Sequence, residues 1–303
     1  MASGNALEAH HLVKRYGAVT ALADLSLEIG RGEIFGFLGP NGAGKTTAVK
    51  ILVGLNRASA GDATVLGRPL SDRATRRKIG YLPELFRYQE WLSAREVLHF
   101  HARLAGLSTT RSAGELPRVL NLVGLTARGD DRVGTFSKGM QQRLGLAVAL
   151  LGEPEVIFLD EPTSALDPIG RHDVRELLRV LQSRGTTVFL NSHLLSEVEL
   201  VCDRVAIVNR GRVVAHGPIA AIVGSGRGVR VRASADGTPL EPVLSAFGPT
   251  VADGDALRVE GVPRDAIPQL VAALVAANAR VYEIEPLATS LEERFLQMTG
   301  DGA

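Results

Sequence analysis

The sequence has little cysteine and almost no excess of charge of either sign. Cys202 is the only cysteine among 303 residues, and 34 Lys and Arg residues balance 33 Asp and Glu residues. A single cysteine excludes an internal disulfide and a cysteine-rich metal site, and it suits a reducing cytoplasm. A net charge of +1 lacks the basic excess that sequence-independent nucleic-acid binding requires. We therefore expect no nucleic-acid partner.

Long apolar runs are lacking as well. The most apolar run, Leu144 to Leu151, is about half of the roughly 18 residues that a membrane-spanning helix needs. The opening residues, MASGNALEAHH, lack the charged segment and apolar core of a secretion signal. We expect a chain that is not secreted and does not itself cross a bilayer.

The composition and length predict a folded chain with two domains. Hydrophobic residues make up 45% and charged residues 22%, which is typical of globular rather than disordered proteins. A chain of 303 residues is long for one compact domain. The glycine-rich stretch from Gly224 to Gly228 follows a small predicted helix. We place the boundary there and predict a domain over residues 1–224 and a smaller one over residues 225–303.

The smaller domain alternates predicted strands and helices. These segments are a strand at Val229 and Val231, a helix at Pro242–Phe247, a strand at Leu257–Glu260, a helix at Ala266–Ala277 and a strand at Val281–Ile284. The alternation indicates a small α+β domain, with a ferredoxin-like topology as the candidate. It contains no catalytic motif, and we expect a regulatory role or a role in dimer contacts.

A strand, a glycine loop and a helix follow one another in the first domain. The loop begins after the apolar run Ile34–Leu38 and matches G-x-x-x-x-G-K-[ST]. Its glycines let backbone N–H groups converge on phosphate oxygens, and the helix N-terminus adds partial positive charge. We predict that Lys45 reaches the β- and γ-phosphates and that Thr46 ligates Mg²⁺. The candidate nucleotide-binding residues are Gly39, Pro40, Asn41, Gly42, Ala43, Gly44, Lys45, Thr46 and Thr47.

Two adjacent carboxylates end a second apolar strand. Asp160 and Glu161 follow Val156–Leu159 directly. In P-loop proteins that hydrolyse nucleotides, a strand beside the phosphate loop presents an Asp toward Mg²⁺. We assign that role to Asp160, and Glu161 is the candidate general base for the attacking water. An isolated Asp-Glu pair is more often a solvated loop, so the phosphate loop is what favours the catalytic interpretation.

A serine and a glycine stand at the start of another apolar helix. Ser137 and Gly139 lie in Phe136-Ser137-Lys138-Gly139-Met140, ahead of the run Leu144 to Leu151. A hydroxyl and free N–H groups at a helix start can bind an anion. Taken alone, such a segment is more often an ordinary helix N-cap.

The order of the motifs resembles the ATP-binding subunit of ABC transporters over roughly residues 5–220. The phosphate loop is followed by a helical insertion at about residues 84–134, the Ser-x-Gly helix start, Asp160-Glu161, Ser164-Ala165-Leu166-Asp167 and a lone His193 after a strand. The resemblance implies an α/β fold, a P-loop NTPase core with an antiparallel β-subdomain and a helical subdomain. ATP and Mg²⁺ are the implied cofactors.

The resemblance also implies roles for single residues. Tyr16 is expected to stack on adenine, and His193 to contact the γ-phosphate in catalysis. Ser137 and Gly139 would touch the γ-phosphate held by a second subunit, with Asp167 at the dimer seam. Two copies would then pair head to tail. From the residues alone, structural interpretations also stay open. Tyr16 fits a surface aromatic in a turn, His193 fits a hydrogen-bonded histidine at a strand end, and Asp167 fits a helix N-cap.

The sequence departs from the family pattern in two places. Family signature loops usually run Leu-Ser-Gly-Gly-Gln, whereas Phe136, Lys138 and Met140 replace the first, third and fifth members. Glu84 stands where the family usually has a Gln that faces Mg²⁺ and the attacking water. A carboxylate can also ligate Mg²⁺, but it adds negative charge near the triphosphate.

These departures, together with the Ser-Leu-Glu-Glu-x-Phe-Leu segment at Ser290 to Leu296, resemble an exporter-type subfamily. Its membrane subunit is a separate polypeptide. The resemblance implies an ATPase on the inner face of the cell membrane that powers export of a drug, antibiotic, lipid or similar substrate. The alternative is a soluble ABC ATPase acting on ribosomes or DNA. Such proteins generally carry two cores in one chain or a long coiled coil, and neither pattern is present here.

The segment after Glu84 is rich in aromatic residues, including Phe86 and the only tryptophan, Trp91. Such residues suit contact with a helix of the membrane partner. They are equally suited to packing inside the helical insertion, so both interpretations stay open.

Overall fold

The computed structural model describes residues 4–224, 228–235, 239–287 and 290–300. The chain forms two compact units, one reaching Pro218 and one over Ile219–Gln297. The predicted boundary stretch includes Ser225–Arg227, which lies outside the described residues. The assignment of residues 1–224 and 225–303 as separate domains therefore stays a prediction. Among the described residues, no helix has the length and apolar character needed to span a bilayer.

The first unit contains, in the described part of the chain, one ten-stranded sheet. Its strands are β1 (Asn5–Tyr16), β2 (Val19–Gly30), β3 (Ile34–Leu38), β4 (Ala60–Val65), β5 (Arg68–Pro69), β6 (Ile79–Leu82), β7 (Val156–Asp160), β8 (Thr187–Asn191), β9 (Arg204–Asn209) and β10 (Arg212–Pro218). They lie in the order β5-β4-β1-β2-β10-β9-β3-β8-β7-β6. β3 runs parallel to β8 and β9, and β7 runs parallel to β6 and β8.

Helices accompany this sheet. They are α1 (Lys45–Leu52), α2 (Arg73–Arg76), α3 (Ala94–Leu104), α4 (Thr109–Leu122), α5 (Lys138–Ala149), α6 (Pro168–Ser183) and α7 (Leu195–Val201). The predicted helical insertion contains α3 and α4. Ser93 and Glu96 form a reciprocal capping box that starts α3. β1 pairs with both β2 and β4 in antiparallel fashion. The structure thus confirms the P-loop core with an antiparallel β-subdomain and a helical subdomain.

The parallel strands are apolar because both of their faces are covered. Every residue of β3, β7 and β8 is buried, as is usual for parallel sheets with helices on each side. The ring of Phe189 lies between those of Phe37 and Phe158, with centroid distances of 5.1 and 5.0 Å. The carboxyl ends of parallel strands meet at one edge, where open α/β sheets bind their ligands.

The second unit has its own sheet and its own core. Its elements are α8 (Ile219–Val223), β11 (Gly228–Ser234), α9 (Glu241–Ser245), β12 (Thr250–Asp253), β13 (Ala256–Glu260), α10 (Ile267–Ala276) and β14 (Arg280–Pro286), and the helix α11 (Leu291–Thr299) follows. The order from β11 to β14 is strand-helix-strand-strand-helix-strand. The sheet order is β12-β13-β11-β14, with antiparallel pairs throughout the described strands. This is the ferredoxin-like topology that the sequence pattern indicated.

Candidate nucleotide site

The phosphate loop lies between β3 and α1, as predicted. A Cβ on Gly39 would lie 2.3 Å from the carbonyl oxygen of Val208, and one on Gly44 would lie 2.4 Å from that of Ala21. Gly44 also has φ +99°, a conformation that favours glycine. α1 starts there without a side-chain cap, which leaves the first backbone N–H groups of the helix available to an anion.

Lys45 folds back over this loop. Its Nζ donates to the carbonyl oxygens of Gly39 at 2.6 Å and Pro40 at 3.2 Å. Burial lowers the pKa of Lys45, and the nearby charges of Glu161, Asp160 and Glu84 oppose that shift. An ammonium held only by two carbonyl oxygens can exchange them for phosphate oxygens, which are stronger acceptors because they are charged.

Asp160 is buried at the carboxyl end of β7, with 1% of the residue exposed. Its Oδ1 accepts a hydrogen bond from Nδ2 of Asn191 at 2.5 Å. Burial raises the pKa of Asp160, and the negative charges of Glu84 and Glu161 raise it further, whereas the bond from Asn191 lowers it. A cation beside this carboxylate would favour its ionised form.

Glu161 has an unusual backbone conformation for a residue with a side chain, with φ +55°. Such strain costs on the order of 1–3 kcal/mol and persists where the surroundings hold it. Here the backbone N–H donates to the carbonyl of Asn191 at 2.8 Å. The carbonyl of Glu161 accepts from Gln142 Nε2 at 3.3 Å and from Ser164 Oγ at 3.1 Å. These bonds orient the Glu161 side chain toward the sheet edge.

His193 meets Glu161 at this edge. The backbone N–H of His193 donates to Glu161 Oε1 at 2.9 Å. The ring Nδ1 lies 2.8 Å from Glu161 Oε2, and the two groups form an ion pair when the histidine is protonated. The His193 side chain is 61% exposed, which leaves it accessible to a bound phosphate.

These groups line one pocket of about 350 Å³, together with residues 19–21 of β2. The pocket brings together the predicted residues Asn41 to Thr47, Glu84, Asp160, Glu161 and His193. Its volume lies within the range of about 300–1,000 Å³ that is usual for small-molecule sites.

The pocket fits a hydrated Mg²⁺. Two buried oxygens, Asp160 Oδ2 and Asn191 Oδ1, have no hydrogen-bond partner in the described structure, and Glu161 Oε2 has the ring of His193 beside it. Within the described ranges, no group of three or more His, Cys, Asp or Glu side chains can hold a metal ion by itself. Mg²⁺ is usually bound by one or two carboxylates, waters and the phosphates of the substrate, so an incomplete protein ligand set with spare acceptors suits it.

Tyr16 does not line this pocket. It pairs with Val19, which does, at the turn between β1 and β2. Its hydroxyl accepts from Asn56 Nδ2 at 2.5 Å, and Lys14 Nζ lies 4.9 Å from the ring centroid. The ring is therefore fixed at the rim of the pocket, where its role in binding a base stays a prediction.

Ser137, Gly139 and Asp167 also lie outside the pocket of their own chain. Ser137 caps α5, accepting a backbone N–H three residues on at 3.2 Å. Asp167 caps α6 in the same way at 2.7 Å. A Cβ on Gly139 would lie 3.3 Å from the Leu166 side chain, so the two segments are in contact. All three predicted residues are thus grouped on another part of the first unit.

The structure adds two residues for which the sequence predicted no role, Asn191 and Gln142. Asn191 pairs with Asp160 in the register of β7 and β8. The sequence signal that could have revealed Asn191 is that it is a polar residue at the end of a buried strand. Asp160 stands at the same position, the last residue, of the neighbouring strand. Gln142 is 5% exposed, and its contact with Glu161 joins α5 to the end of β7, which no local pattern indicates.

The fold and the pocket define a P-loop nucleoside triphosphatase. Residues 22–164 match the family model described as ABC transporter. An uncharacterised ABC transporter ATP-binding protein of Synechocystis sp. is 40% identical, covering 92% of this chain and 78% of that protein. The ABC transporter ATP-binding protein YhcH of Bacillus subtilis is 37% identical, and the match covers 97% of this chain and 96% of that protein. The chain therefore belongs to the ABC transporter family, as an ATP-binding subunit that hydrolyses ATP.

Further matches agree. Nod factor export ATP-binding protein I of Rhizobium sp. is 36% identical, covering 95% of this chain and 94% of that protein. A solved ATP-binding subunit of an ABC transporter has a TM-score of 0.66 at 34% identity, covering 71% of this chain and 91% of its own. The cbiO1 subunit of an ABC transporter complex from Clostridium perfringens has a TM-score of 0.64 at 28% identity, covering 72% and 90%. These matches give no support to the alternative of action on ribosomes or DNA.

Proposed function

We propose that this subunit powers export, and that it does so as a head-to-tail homodimer bound to a separate membrane subunit on the inner face of the cell membrane. The observation that carries the proposal is the division of the predicted site. The phosphate loop, Asp160, Glu161 and His193 line one pocket, whereas Ser137 and Gly139 lie outside it. A second copy can supply the missing pair. Export is supported by the printed name of the Nod factor export relatives.

ATP binds first through its phosphates. Backbone N–H groups of the loop and the start of α1 surround the phosphate oxygens. Lys45 Nζ leaves the carbonyls of Gly39 and Pro40 and turns to the β- and γ-phosphates. Tyr16, at the rim, stacks on adenine.

Thr46 and Asp160 would hold Mg²⁺ in this pocket, with Glu84 as a further carboxylate. When bound, Mg²⁺ offsets the negative charge of the β- and γ-phosphates during phosphoryl transfer. The unpartnered Oδ2 of Asp160 is the observation that supports this assignment. Glu84 lines the same pocket as Asp160 and Glu161, where it adds a third negative charge near the triphosphate.

Hydrolysis then depends on Glu161. Its carboxylate orients a water and accepts a proton as the water oxygen bonds to the γ-phosphorus. The bond from that phosphorus to the β–γ bridging oxygen breaks, and ADP leaves with the electron pair. His193 contacts the γ-phosphate, and Ser137 and Gly139 of the second copy close over it. Closure excludes bulk solvent other than the attacking water and completes the charge stabilisation on which phosphoryl transfer depends.

The test is ATP-driven dimerisation. The Glu161→Gln protein is expected to retain ATP because hydrolysis is blocked. Light scattering after gel filtration of this protein is expected to show a doubled mass with ATP and a monomer without it. Ser137→Arg in the same background is expected to abolish the dimer. The long arginine side chain is too large for the position where the serine hydroxyl faces the partner's ATP. Ser108→Arg is the matched control, since Ser108 caps α4 in the same way. A monomer with ATP in the Glu161→Gln protein would contradict the proposal.

A further inference from the structure

Asn191 is a buried polar residue in the nucleotide pocket, outside the phosphate-binding and catalytic motifs. It is 2% exposed and ends β8, a strand that is otherwise mostly apolar. Its Nδ2 donates to Asp160 Oδ1. An ionised carboxylate only accepts hydrogen bonds, so the amide nitrogen must face Asp160 and the amide oxygen must face away.

The amide oxygen has no partner among the described residues, although it is buried. A buried acceptor without a donor is costly, and native structures seldom retain one without a functional reason. An apolar residue would fill this strand end without that cost. Asp160 Oδ2 is also buried without a hydrogen-bond partner in the described structure, and both residues line this pocket.

The charge of the pocket favours a neutral oxygen at this position. Glu84, Asp160 and Glu161 already place three carboxylates around a site that has to accept a triphosphate. An aspartate at residue 191 would add a fourth charge and repel Asp160. The amide of Asn191 instead offers one donor to Asp160 and one uncharged acceptor to the pocket.

We propose that Asn191 is a positioning residue of the Mg²⁺ site, an inference that rests on the proposed function. Its Nδ2 holds Asp160 by Oδ1 and leaves Oδ2 free for the hydrated cation. Its Oδ1 accepts a hydrogen bond from that hydration shell. Asn191 thereby strengthens cation binding without adding charge.

The experiment measures how much Mg²⁺ strengthens nucleotide binding. Calorimetric titration with the non-hydrolysable analogue AMP-PNP is done in saturating Mg²⁺ and again in EDTA, and the ratio of the two affinities is compared between proteins. Asn191→Leu is expected to reduce the ratio by about 10- to 100-fold, the usual loss when a partner of a metal ligand is removed. The affinity in EDTA is expected to remain that of the wild type.

Asn191→Ser is a second variant in case Asn191→Leu fails to fold, because a small polar residue fits the strand end. It is also expected to lower the ratio of the affinities with and without Mg²⁺. Ser192→Ala is the matched control. Ser192 is also 2% exposed, and its Oγ accepts the backbone N–H of Leu194 at 3.2 Å. The ratio of this control is expected to equal that of the wild type.

The ratio measured for the wild type distinguishes failure of the proposed Mg²⁺ site from failure of the proposed role of Asn191. If Mg²⁺ does not strengthen binding to the wild type, the proposed Mg²⁺ site is wrong. If it does, and both Asn191 variants keep the same ratio, only the role of Asn191 is wrong. Equal losses of affinity with and without Mg²⁺ would also overturn it, because they would mean that Asn191 only supports the fold.

Discussion

Glu161, the candidate general base, has a strained backbone that hydrogen bonds from other residues hold in place. Its φ of +55° is strained, and its backbone is held by Asn191, Gln142 and Ser164. This backbone conformation places the Glu161 side chain at the sheet edge, next to His193. The position of a candidate base is therefore set by the backbone at the end of β7 and by hydrogen bonds from three other segments.

Replacing Glu161 with Gln keeps its size and removes its ability to accept a proton. We expect turnover to fall by about 10²- to 10⁴-fold, the usual contribution of a general base. ATP binding is expected to persist because the phosphate loop is unchanged. Phosphate release and ATP affinity, measured on the same preparation, check both statements. Unchanged turnover would exclude Glu161 as the base.

Lys45→Ala removes the ammonium that folds over the phosphate loop. A hydrogen bond to a charged group contributes about 1.5–3 kcal/mol, so ATP affinity is expected to fall about 10- to 100-fold. Lys50→Ala, in the last turn of the same helix, is the control and should bind ATP normally. Equal ATP affinity in the Lys45 variant and the wild type would contradict the phosphate-loop assignment.

At the scale of elements, strands with a continuous apolar run were easier to predict than very short strands. β3 and β7 are continuous apolar runs, and the sequence predicted both. β6 and β12 were missed because each has four residues and lacks a long pattern. Short strands depend on partners that are distant in sequence, so local pattern alone does not reveal them.

α5 connects two parts of the site. It begins after Ser137, and its Gln142 donates to the carbonyl of Glu161. Gln142→Leu is expected to lower kcat by about tenfold with little change in KM, because a supporting bond to the strained residue is lost. Gln182→Leu, which removes a hydrogen bond to Asp203 elsewhere, is the control. An equal effect of both variants, or a change confined to KM, would contradict this role.

The aromatic segment after Glu84 divides into two parts. Phe86 packs inward, since a Cβ on Gly145 would lie 2.9 Å from its ring, and Tyr88 is 5.3 Å away between centroids. Trp91 is 71% exposed. It is next to Leu92, which lines a groove of about 790 Å³ along α3. The packing interpretation therefore suits Phe86, and partner contact suits Trp91.

Trp91→Ala is expected to weaken binding to the membrane subunit by about 2 kcal/mol, as exposed tryptophans at interfaces often do. ATP hydrolysis by the isolated subunit should not change. Co-purification with the membrane subunit is the measurement. Tyr282→Ala is the control, since Tyr282 is an aromatic residue of the second unit that is also mostly exposed, at 62%. Normal co-purification and export by the Trp91 variant would exclude this contact.

On the scale of the whole molecule, each unit has a hydrophobic core of its own. The first unit contains all the residues of the nucleotide pocket. The second is ferredoxin-like and has a network of ion pairs on its strands, including Arg230 with Asp253 at 3.1 Å and Arg232 with Glu283 at 2.9 Å. Arg230 and Arg232 are thus matched by carboxylates, which is typical of a solvated strand surface.

Removal of the second unit by truncation after Gly224 tests its predicted role in dimer contacts or regulation. We expect the dissociation constant of the ATP-bound dimer to rise by about tenfold, equal to about 1.4 kcal/mol. Sedimentation of the Glu161→Gln protein with ATP measures this constant. Dimerisation and ATPase activity equal to those of the full chain would argue against any such role.

The sequence by itself determined the phosphate loop, the two carboxylates after β7, the ferredoxin-like alternation and the family. Each depends on residue types at fixed short spacings, because a local pattern sets the local backbone and its burial. Only the tertiary structure decided that Asn191 meets Asp160, that Gln142 supports Glu161, and that Tyr16 lies at the rim of the pocket. These contacts depend on strand register and helix packing between distant segments, which determine which side chains meet.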